Sequence, residues 1–317
     1  MCLRGELKVN KLAHIVVSLI PQKRALVVAG ARLPPYLRSA LSYKFFSALA
    51  RQTKVTGPLR TNLGVSAEYD CLIPSTHQVA IFGKPNLYVG ESGALDLAAT
   101  LGQHADAFVD VGAHVGYFTF FMRNRLPANK PIYFFEPDPQ LFQIIDENVR
   151  ANHLSNVSGF QKAMGAVDGT VVFYKNLSDS FSGSLETLFV DRHEVRPIEV
   201  TITRCDSFAA SVGLQNACVK VDVEGAERDF MKGSAGALET IRYLIMEVLG
   251  PSHEKKFVAK MIDEYGFHAY YIHDHRLEYS LDGNFHYQPA EYNWLFCREN
   301  PATLRITLAG SSFKIIS

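Results

Sequence analysis

The chain has 317 residues, of which 47% are hydrophobic and 20% charged, so it can bury a sizeable core and has the composition of an ordinary globular protein. Basic and acidic residues number 32 each, which leaves no net field for a polyanion and argues against nucleic acid as a partner. Five scattered cysteines, without a C-x-x-C pair or zinc spacing, favour reduced thiols in the cytoplasm over disulfides or a zinc site.

Residues 1–60 are predicted to form an accessory helical segment. The stretch "YLRSALSYKFFSALARQ" follows Pro34 and Pro35, which suit the start of a helix. The earlier stretch "LKVNKLAHIVVSLIPQK" has basic residues before a short apolar run, somewhat like a signal sequence. His14 interrupts that run and no small-residue cleavage site follows, so packing as a strand or helix is favoured over export. No apolar run has the length of a membrane span, so stable membrane insertion is not expected.

Residues 61–317 are predicted to form one α/β domain, which begins with a small β region at 61–90. From residue 91 onward, apolar strands alternate with amphipathic helices, which favours a mostly parallel sheet covered by helices on both faces. Strands are predicted at "AFVDVGA", "IYFFEPD", "VSGFQKAMG", "ACVKVDVEG", "IRYLIMEVL", "HAYYIHD" and "YNWLFCRE". Residues 170–204 are predicted as a β insert, whose Ser-rich loop at 176–184 is equally compatible with a lid and with a mobile tether.

The first strand leads into a helix through "FVDVGAHVGYFTFF", a turn rich in small residues. Ligands of open parallel sheets bind beyond the carboxyl ends of the strands, and glycines there allow backbone N–H groups and a helix N-terminus to approach a ligand. The dinucleotide fingerprint would need glycine at positions 114 and 117, which hold His114 and Tyr117. An NAD site is therefore disfavoured.

The spacing acid-x-Gly-x-x-x-Gly, here Asp110, Gly112 and Gly116, suits S-adenosylmethionine. That cofactor has no pyrophosphate, so fewer glycines suffice, and carboxylates are useful against its ribose and amino group. Glu136, at the end of the strand in "FFEPDP", is predicted to bind both ribose hydroxyls. A tight turn followed by a solvated acid is the purely structural alternative.

With these motifs, the chain resembles the FkbM-type S-adenosylmethionine-dependent methyltransferases. The resemblance rests on "FVDVGAHVGYFTF", "FFEPDPQLFQIIDENVRAN", "QKAMGAVDGTVVFY" and "VKVDVEGAERDFMKG", followed by "LIMEV", over about residues 88–298. It implies a Rossmann-like class I methyltransferase sheet of seven strands with the last antiparallel. It also implies O-methylation of a hydroxyl on a sugar, glycan or secondary metabolite. His114 departs from the family, which usually has Asn there.

The resemblance also implies which residues bind the cofactor. Those on the methionine and ribose side would be Asp110, Gly112, Ala113 and Gly116, with His114 between them. Glu136 would hold the ribose and Pro137 would shape its loop, while Ala163 and Met164 would border the adenine.

Candidate catalytic groups follow the later strands. Asp222 and Glu224 are two residues apart, so both would point the same way if the strand continued through them. Such a pair can act as a proton acceptor or bind a divalent cation such as Mg²⁺, although Glu224 equally suits a helix cap. Glu247, in "IMEV", is predicted either to join this cluster or to pair with a basic residue.

Histidine is the commonest general base near neutral pH. His253 follows the fifth strand, and His273 and His275 follow the sixth. His253 is the histidine predicted to be catalytic, and exposed loop residues without a catalytic role are the alternative for all three.

The leading hypothesis is thus a cytoplasmic O-methyltransferase that acts on a small-molecule or glycan acceptor. A catalytically silent scaffold protein that binds S-adenosylmethionine and an N-methyltransferase are the alternatives. The acceptor, the oligomeric state and the role of residues 1–60 stay open, because the insert and the late loops contain no diagnostic motif.

Overall fold

The computed structural model describes residues 92–176, 185, 195–248, 251–285 and 292–316, together with four two-residue strands nearer the N-terminus. The chain divides into two compact units, Met1–Tyr88 and Val89–Ser317. In the first unit, Lys54–Val55 pairs with Cys71–Leu72 and Leu59–Arg60 pairs with Ser66–Ala67, both antiparallel. The helix predicted after Pro35 and the Ser-rich loop lie outside the described residues, and the domain boundary at residue 60 stays a prediction.

The second unit alternates strands and helices, as its sequence predicts. Its elements are, in chain order, α1 (Ser92–Gln103), β1 (Ala107–Val111), α2 (Tyr117–Arg125), β2 (Ile132–Phe135), α3 (Pro139–Ala151), β3 (Val157–Phe160), β4 (Ala163–Met164), β5 (Gly169–Asn176), β6 (Val195–Thr203), α4 (Cys205–Val212), β7 (Ala217–Val221), α5 (Glu227–Lys232), a 3₁₀ turn (Ala237–Glu239), β8 (Ile241–Glu247), α6 (Pro251–Asp263), β9 (His268–His273), β10 (Arg276–Ser280), β11 (Asn293–Cys297), α7 (Pro301–Thr307) and β12 (Lys314–Ile316).

Within the described residues, the large sheet has nine strands in the order β12-β10-β9-β11-β8-β7-β1-β2-β3. Strands β3, β2, β1, β7 and β8 are parallel, and β11 is antiparallel to both of its neighbours. The Rossmann-like fold and the antiparallel β11 are confirmed. The predicted number of seven strands is too low, because β10 and β12 extend the sheet beyond β9.

The predicted strand "VSGFQKAMG" is two strands in two different sheets. β3 forms the edge of the large sheet, whereas β4 belongs to a three-stranded sheet in the order β4-β6-β5. In that small sheet, β5 and β6 form the antiparallel pair predicted as a β insert. The chain changes sheets between Phe160 and Ala163, where the N–H of Lys162 turns back to the carbonyl of Phe160.

The two faces of the large sheet differ in chemistry. One face carries the apolar residues Val109, Val111, Val219 and Val221, which belong to the main hydrophobic core. The alternate positions face the other way, and there Asp110 lies directly opposite Lys220. Charged groups are therefore built into the sheet on one face, close to the edge at which the parallel strands end.

Candidate active site

The turn after β1 packs directly against the end of β7. Gly112 has a φ of 80°, and a Cβ there would lie 1.8 Å from the carbonyl oxygen of Asp222, so no other residue fits. The N–H groups of Gly112 and Ala113 both donate to the carbonyl of Phe135, at 3.0 and 2.9 Å. These two N–H groups are therefore bonded within the protein, and Gly112 serves close packing. Contact of Gly112, Ala113 and Gly116 with the cofactor stays a prediction.

Helix α2 begins directly after this turn. Gly116 precedes it with a left-handed φ of 83°, and its N–H donates to the carbonyl of Ala113 at 2.7 Å. The N-cap residue Gly116 has no side chain, and Asp110 instead accepts both the backbone N–H and the hydroxyl of Thr119 in the first turn of α2. The positive end of the helix dipole thus already faces a carboxylate of the protein.

Glu136 follows β2 and is buried, with 4% exposure. One carboxylate oxygen accepts the N–H of His114 at 2.8 Å, and the other accepts the N–H of Asp138 at 2.8 Å. Burial raises the pKa of Glu136 to about 8, although both hydrogen bonds favour the anion. Because a carboxylate has about four acceptor positions, Glu136 is held rigidly and still has capacity for two ligand hydroxyls.

Asp110 lies within β1, one residue before the strand ends. It is 1% exposed, and its carboxylate accepts the hydroxyl of Thr119 at 2.6 Å. Burial raises the pKa of Asp110 to about 6, opposed by this hydrogen bond and by the charge of Lys220. Asp110 therefore ties β1 to α2 and supports the turn.

Asp222 and Glu247 form an acid pair at the ends of the neighbouring strands β7 and β8. Burial and the charge of Asp222 raise the pKa of Glu247 well above its ordinary value, so Glu247 holds a proton and donates it to Asp222. Burial opposes ionisation of Asp222, but the charge of Lys220 and the hydrogen bond from Glu247 outweigh it and lower the pKa. The pair thus shares one proton, with the negative charge on Asp222.

Lys220 completes this cluster from inside β7. It is 3% exposed, and its Nζ lies 2.8 Å from Oδ2 of Asp222 and 4.8 Å from the ring centre of Phe118. Sequence reasoning missed Lys220, as well as Thr119. A lysine inside the apolar strand "ACVKV", two residues before an acid, was the signal available for Lys220.

Glu224 is not a strand partner of Asp222. Strand β7 ends at Val221, and Glu224 and Gly225 adopt left-handed φ values of 50° and 102°. The helix cap is wrong as well, because Ala226 is the N-cap of α5 and no side chain caps it. Instead, the N–H of Gly225 donates to Glu227, a buried acid that sequence reasoning missed. The charge of Glu224 still contributes to the raised pKa of Glu247.

The predicted histidines are dispersed. His253 is the third residue of α6, and its side chain lies outside the described residues. His273 ends β9, whereas the ring of His275 contacts Asp96 at 3.2 Å and Asp274 at 3.0 Å. Among the described histidine side chains, only His114 lies close enough to the acid pair for its charge to lower the pKa of Asp222.

The remaining predicted cofactor residues lie beside β2 and β4. Pro137 is half-buried between Glu136 and Asp138, which caps α3. Ala163 and Met164 are 5% and 2% exposed and pair with β6. Their contact with the adenine stays a prediction.

The acid pair does not fit a divalent cation. Among the described residues, no group of three or more His, Cys, Asp or Glu side chains has the geometry of a metal site. Moreover, Oδ2 of Asp222 already accepts Lys220, whose ammonium would repel a cation bound beside it.

A sequence profile described as the methyltransferase FkbM domain matches residues 110–277, more than half of the chain. The chain belongs to the FkbM methyltransferase family. The matched FkbM segment contains the glycine turn, Glu136 and the acid pair, so the site described above lies within it.

Two curated methyltransferases are similar in sequence to this chain. Methyltransferase 1 of Beauveria bassiana is 30% identical over 149 residues, which cover 40% of this chain and 58% of that protein. The hexuronic acid methyltransferase AglP of Haloferax volcanii is 25% identical over 190 residues, which cover 55% of this chain and 69% of AglP.

Among solved structures, the FkbM methyltransferase of Methylobacillus flagellatus is 13% identical, with a TM-score of 0.38. The alignment covers 90% of this chain and 60% of that one. In the present protein, none of the helices that the structure describes is both long and apolar enough to cross a membrane.

Proposed function

We propose that this protein transfers the methyl group of S-adenosylmethionine to a hydroxyl oxygen, with Asp222 as the proton acceptor. The observation that carries this proposal is the half-buried acid pair at the ends of β7 and β8, where Asp222 accepts Lys220 at 2.8 Å and a hydrogen bond from Glu247, so that the negative charge is favoured on Asp222. An ionised carboxylate at the carboxyl edge of the sheet, one strand from the glycine turn, is placed to accept a proton.

The residues around the turn fit the cofactor. Glu136 has free acceptor capacity for the two ribose hydroxyls. When bound, the cofactor supplies a methyl group already activated by a sulfonium. The protein then has to align the two reactants and exclude water.

Proton transfer follows from the charges in the acid pair. As the hydroxyl oxygen bonds to the methyl carbon, its proton passes to Asp222 and the carbon–sulfur bond breaks. The products are a methyl ether, S-adenosylhomocysteine and a protonated Asp222, which returns its proton to solvent. The hydrogen bond from Glu247 and the charge of Lys220 keep Asp222 ionised before this step.

We propose a polyhydroxylated acceptor such as a sugar. This is supported by the resemblance to AglP, whose name states that it methylates hexuronic acid, and by the carboxylate-rich site. A cytoplasmic location is proposed as well, and three buried free cysteines, Cys205, Cys218 and Cys297, are consistent with it.

Two measurements test the proposal. Calorimetry with S-adenosylhomocysteine should detect binding to the purified protein, which a protein without this cofactor site would not give. Labelled S-adenosylmethionine should then pass its methyl group to members of a panel of methyl glycosides, methyl glucuronides and matched amines. Binding without transfer to any hydroxyl would contradict an O-methyltransferase and favour the silent scaffold, whereas transfer to the amines alone would favour N-methylation.

A further inference from the structure

Asn293 lies next to the acid pair and has no part in the mechanism above. It is the first residue of β11 and pairs directly with Glu247 across the antiparallel β8–β11 ladder. Side chains of directly opposed residues lie on the same face of a sheet, about 5 Å apart. Asn293 is only 4% exposed, so its amide lies in the buried part of this edge.

The amide oxygen of Asn293 lacks a hydrogen-bond donor within the described part of the chain. Buried acceptors are almost always paired, because an unpaired one loses its hydrogen bonds to water and gains none in the protein, which lowers the free energy of unfolding. Glu247, the nearest acid with a proton, donates that proton to Asp222 instead. The oxygen of Asn293 is therefore a buried acceptor without a donor among the described residues, and a bound ligand can supply one.

The order of the strands shows which ligand can provide that donor. The ends of β1, β7 and β8 and the start of β11 adjoin one another and place Gly112, Asp222, Glu247 and Asn293 in a row. Neighbouring strands are about 4.8 Å apart, so Asn293 lies roughly 14 Å from the glycine turn and beyond the proton acceptor. A donor at Asn293 thus belongs to the acceptor molecule and not to the cofactor.

We propose that Asn293 binds a second hydroxyl of the methyl acceptor and selects acceptors that carry one beside the hydroxyl to be methylated. This inference rests on the proposed O-methyltransferase function. It makes Asn293 a specificity-determining residue, because a site with an unpaired acceptor rejects an analogue that lacks the matching O–H.

Stability measurements test whether the unpaired oxygen is a functional feature. Asn293→Leu removes a buried acceptor that has no partner, so the melting temperature of the ligand-free protein should rise by about 2–4 °C. The matched control is Asn148→Leu, because Asn148 is equally buried but donates to the carbonyl of Ile144 at 2.8 Å, and this variant should melt lower. If Asn293→Leu destabilises as much as the control, Asn293 is structural and the proposal is overturned.

Transfer kinetics test the role in recognition. With whichever methyl glycoside the wild type methylates, Asn293→Leu should raise the acceptor KM about tenfold and leave the affinity for S-adenosylhomocysteine unchanged. Monodeoxy analogues of the same glycoside should identify one hydroxyl whose removal harms the wild type but not the variant. An unchanged acceptor KM and unchanged discrimination would overturn the role of Asn293 alone. If the wild type methylates no glycoside, the proposed function fails and the role of Asn293 fails with it.

Discussion

The two sides of the site satisfy their polar groups in opposite ways. On the side of β1 and β2, the N–H groups of Gly112, Ala113 and His114 and both oxygens of Glu136 have partners within the protein. On the side of β7, β8 and β11, Asp222 and Glu247 share one proton, and the side-chain amide oxygen of Asn293 lacks a donor within the described residues.

The residues Gly112, Ala113, His114 and Glu136 thus form a preorganised pocket wall, here called the cradle. Asp222, Glu247 and Asn293 form the other side of the site. Groups that are already fixed by backbone hydrogen bonds bind a constant ligand with little reorganisation. A buried acceptor without a donor, such as the amide oxygen of Asn293, costs stability, and natural proteins keep such groups mainly where function needs them. We therefore propose that the cofactor binds on the side of β1 and β2 and that the methyl acceptor binds on the side of β7, β8 and β11.

Substitution of Asp222 should give the largest effect. Asp222→Asn keeps the shape but removes the proton acceptor, so kcat should fall by about a thousandfold. The affinity for S-adenosylhomocysteine should change less than about twofold, because the proposed cofactor site does not include this side chain. Single-turnover transfer and calorimetry measure the two quantities.

The matched control for Asp222→Asn is Asp229→Asn. Asp229 pairs with Lys232 at 2.7 Å, much as Asp222 pairs with Lys220, but Asp229 is more exposed and lies in α5. It should leave kcat unchanged. Activity of Asp222→Asn within tenfold of the wild type would exclude Asp222 as the base.

Substitution of Glu136 should act on the other side and on binding. In Glu136→Gln, one oxygen becomes an NH₂ group that faces the N–H of either His114 or Asp138, so the cradle opens. Loss of the charge and of this geometry should weaken S-adenosylhomocysteine binding by roughly 30- to 100-fold, as for one or two charge-assisted hydrogen bonds. Calorimetry measures this change.

Glu299→Gln provides the control for Glu136. Glu299 accepts the hydroxyls of Tyr243 and Thr307 and the guanidinium of Arg242, beyond the opposite end of β11. This variant should melt at a lower temperature yet bind S-adenosylhomocysteine as the wild type does. If both variants lose stability and neither loses affinity, Glu136 has a structural role.

The sequence predicted most of the fold because the strands from "AFVDV" to "NWLFC" are short apolar runs between amphipathic helices. The strands β10 and β12 were missed because they are the two outermost strands on one side of the sheet. Their sequences "RLEYS" and "KII" contain polar or exposed positions and are not continuous apolar runs. The turn and Glu136 were predicted from their spacing. The pairing of Glu247 with Asp222 was one of two alternatives predicted for Glu247, and the sequence could not decide between them because the pairing depends on the adjacency of β7 and β8, a non-local property.

The affinity for the cofactor should depend on pH through Glu136. Ribose hydroxyls donate to a carboxylate, so binding favours the ionised form of a group whose pKa is raised to about 8 in the free protein. A proton is then released on binding below that pH, and affinity rises with pH until the free protein is ionised as well. Between pH 7 and 8 the increase should be about fivefold, because the ionised fraction rises by that factor.

Calorimetry in buffers of different ionisation enthalpy measures this proton release directly. Glu136→Gln has no carboxyl at this position, so its weaker binding should lose the pH dependence attributed to Glu136. An increase of affinity with pH that persists in Glu136→Gln would assign the titrating group elsewhere. Asp110, whose pKa is raised to about 6, would then be the next carboxyl to replace.

The smallest effect is expected where the β insert meets the cofactor side. Lys175 of β5 lies 2.7 Å from Asp138, whose N–H holds Glu136 in place. Lys175→Met should cost about 0.5–1 kcal/mol of stability and about twofold in S-adenosylhomocysteine affinity, because the pair is only partly shielded from solvent.

A double-mutant cycle with Asp138→Asn isolates the coupling energy between Lys175 and Asp138, which should be of similar size. Because Asp138 also caps α3 through the N–H of Gln140, its single variant should lose more stability than Lys175→Met. Zero coupling would mean that the insert is attached to the cradle by other contacts, and the rigidity of the cofactor side would not depend on it.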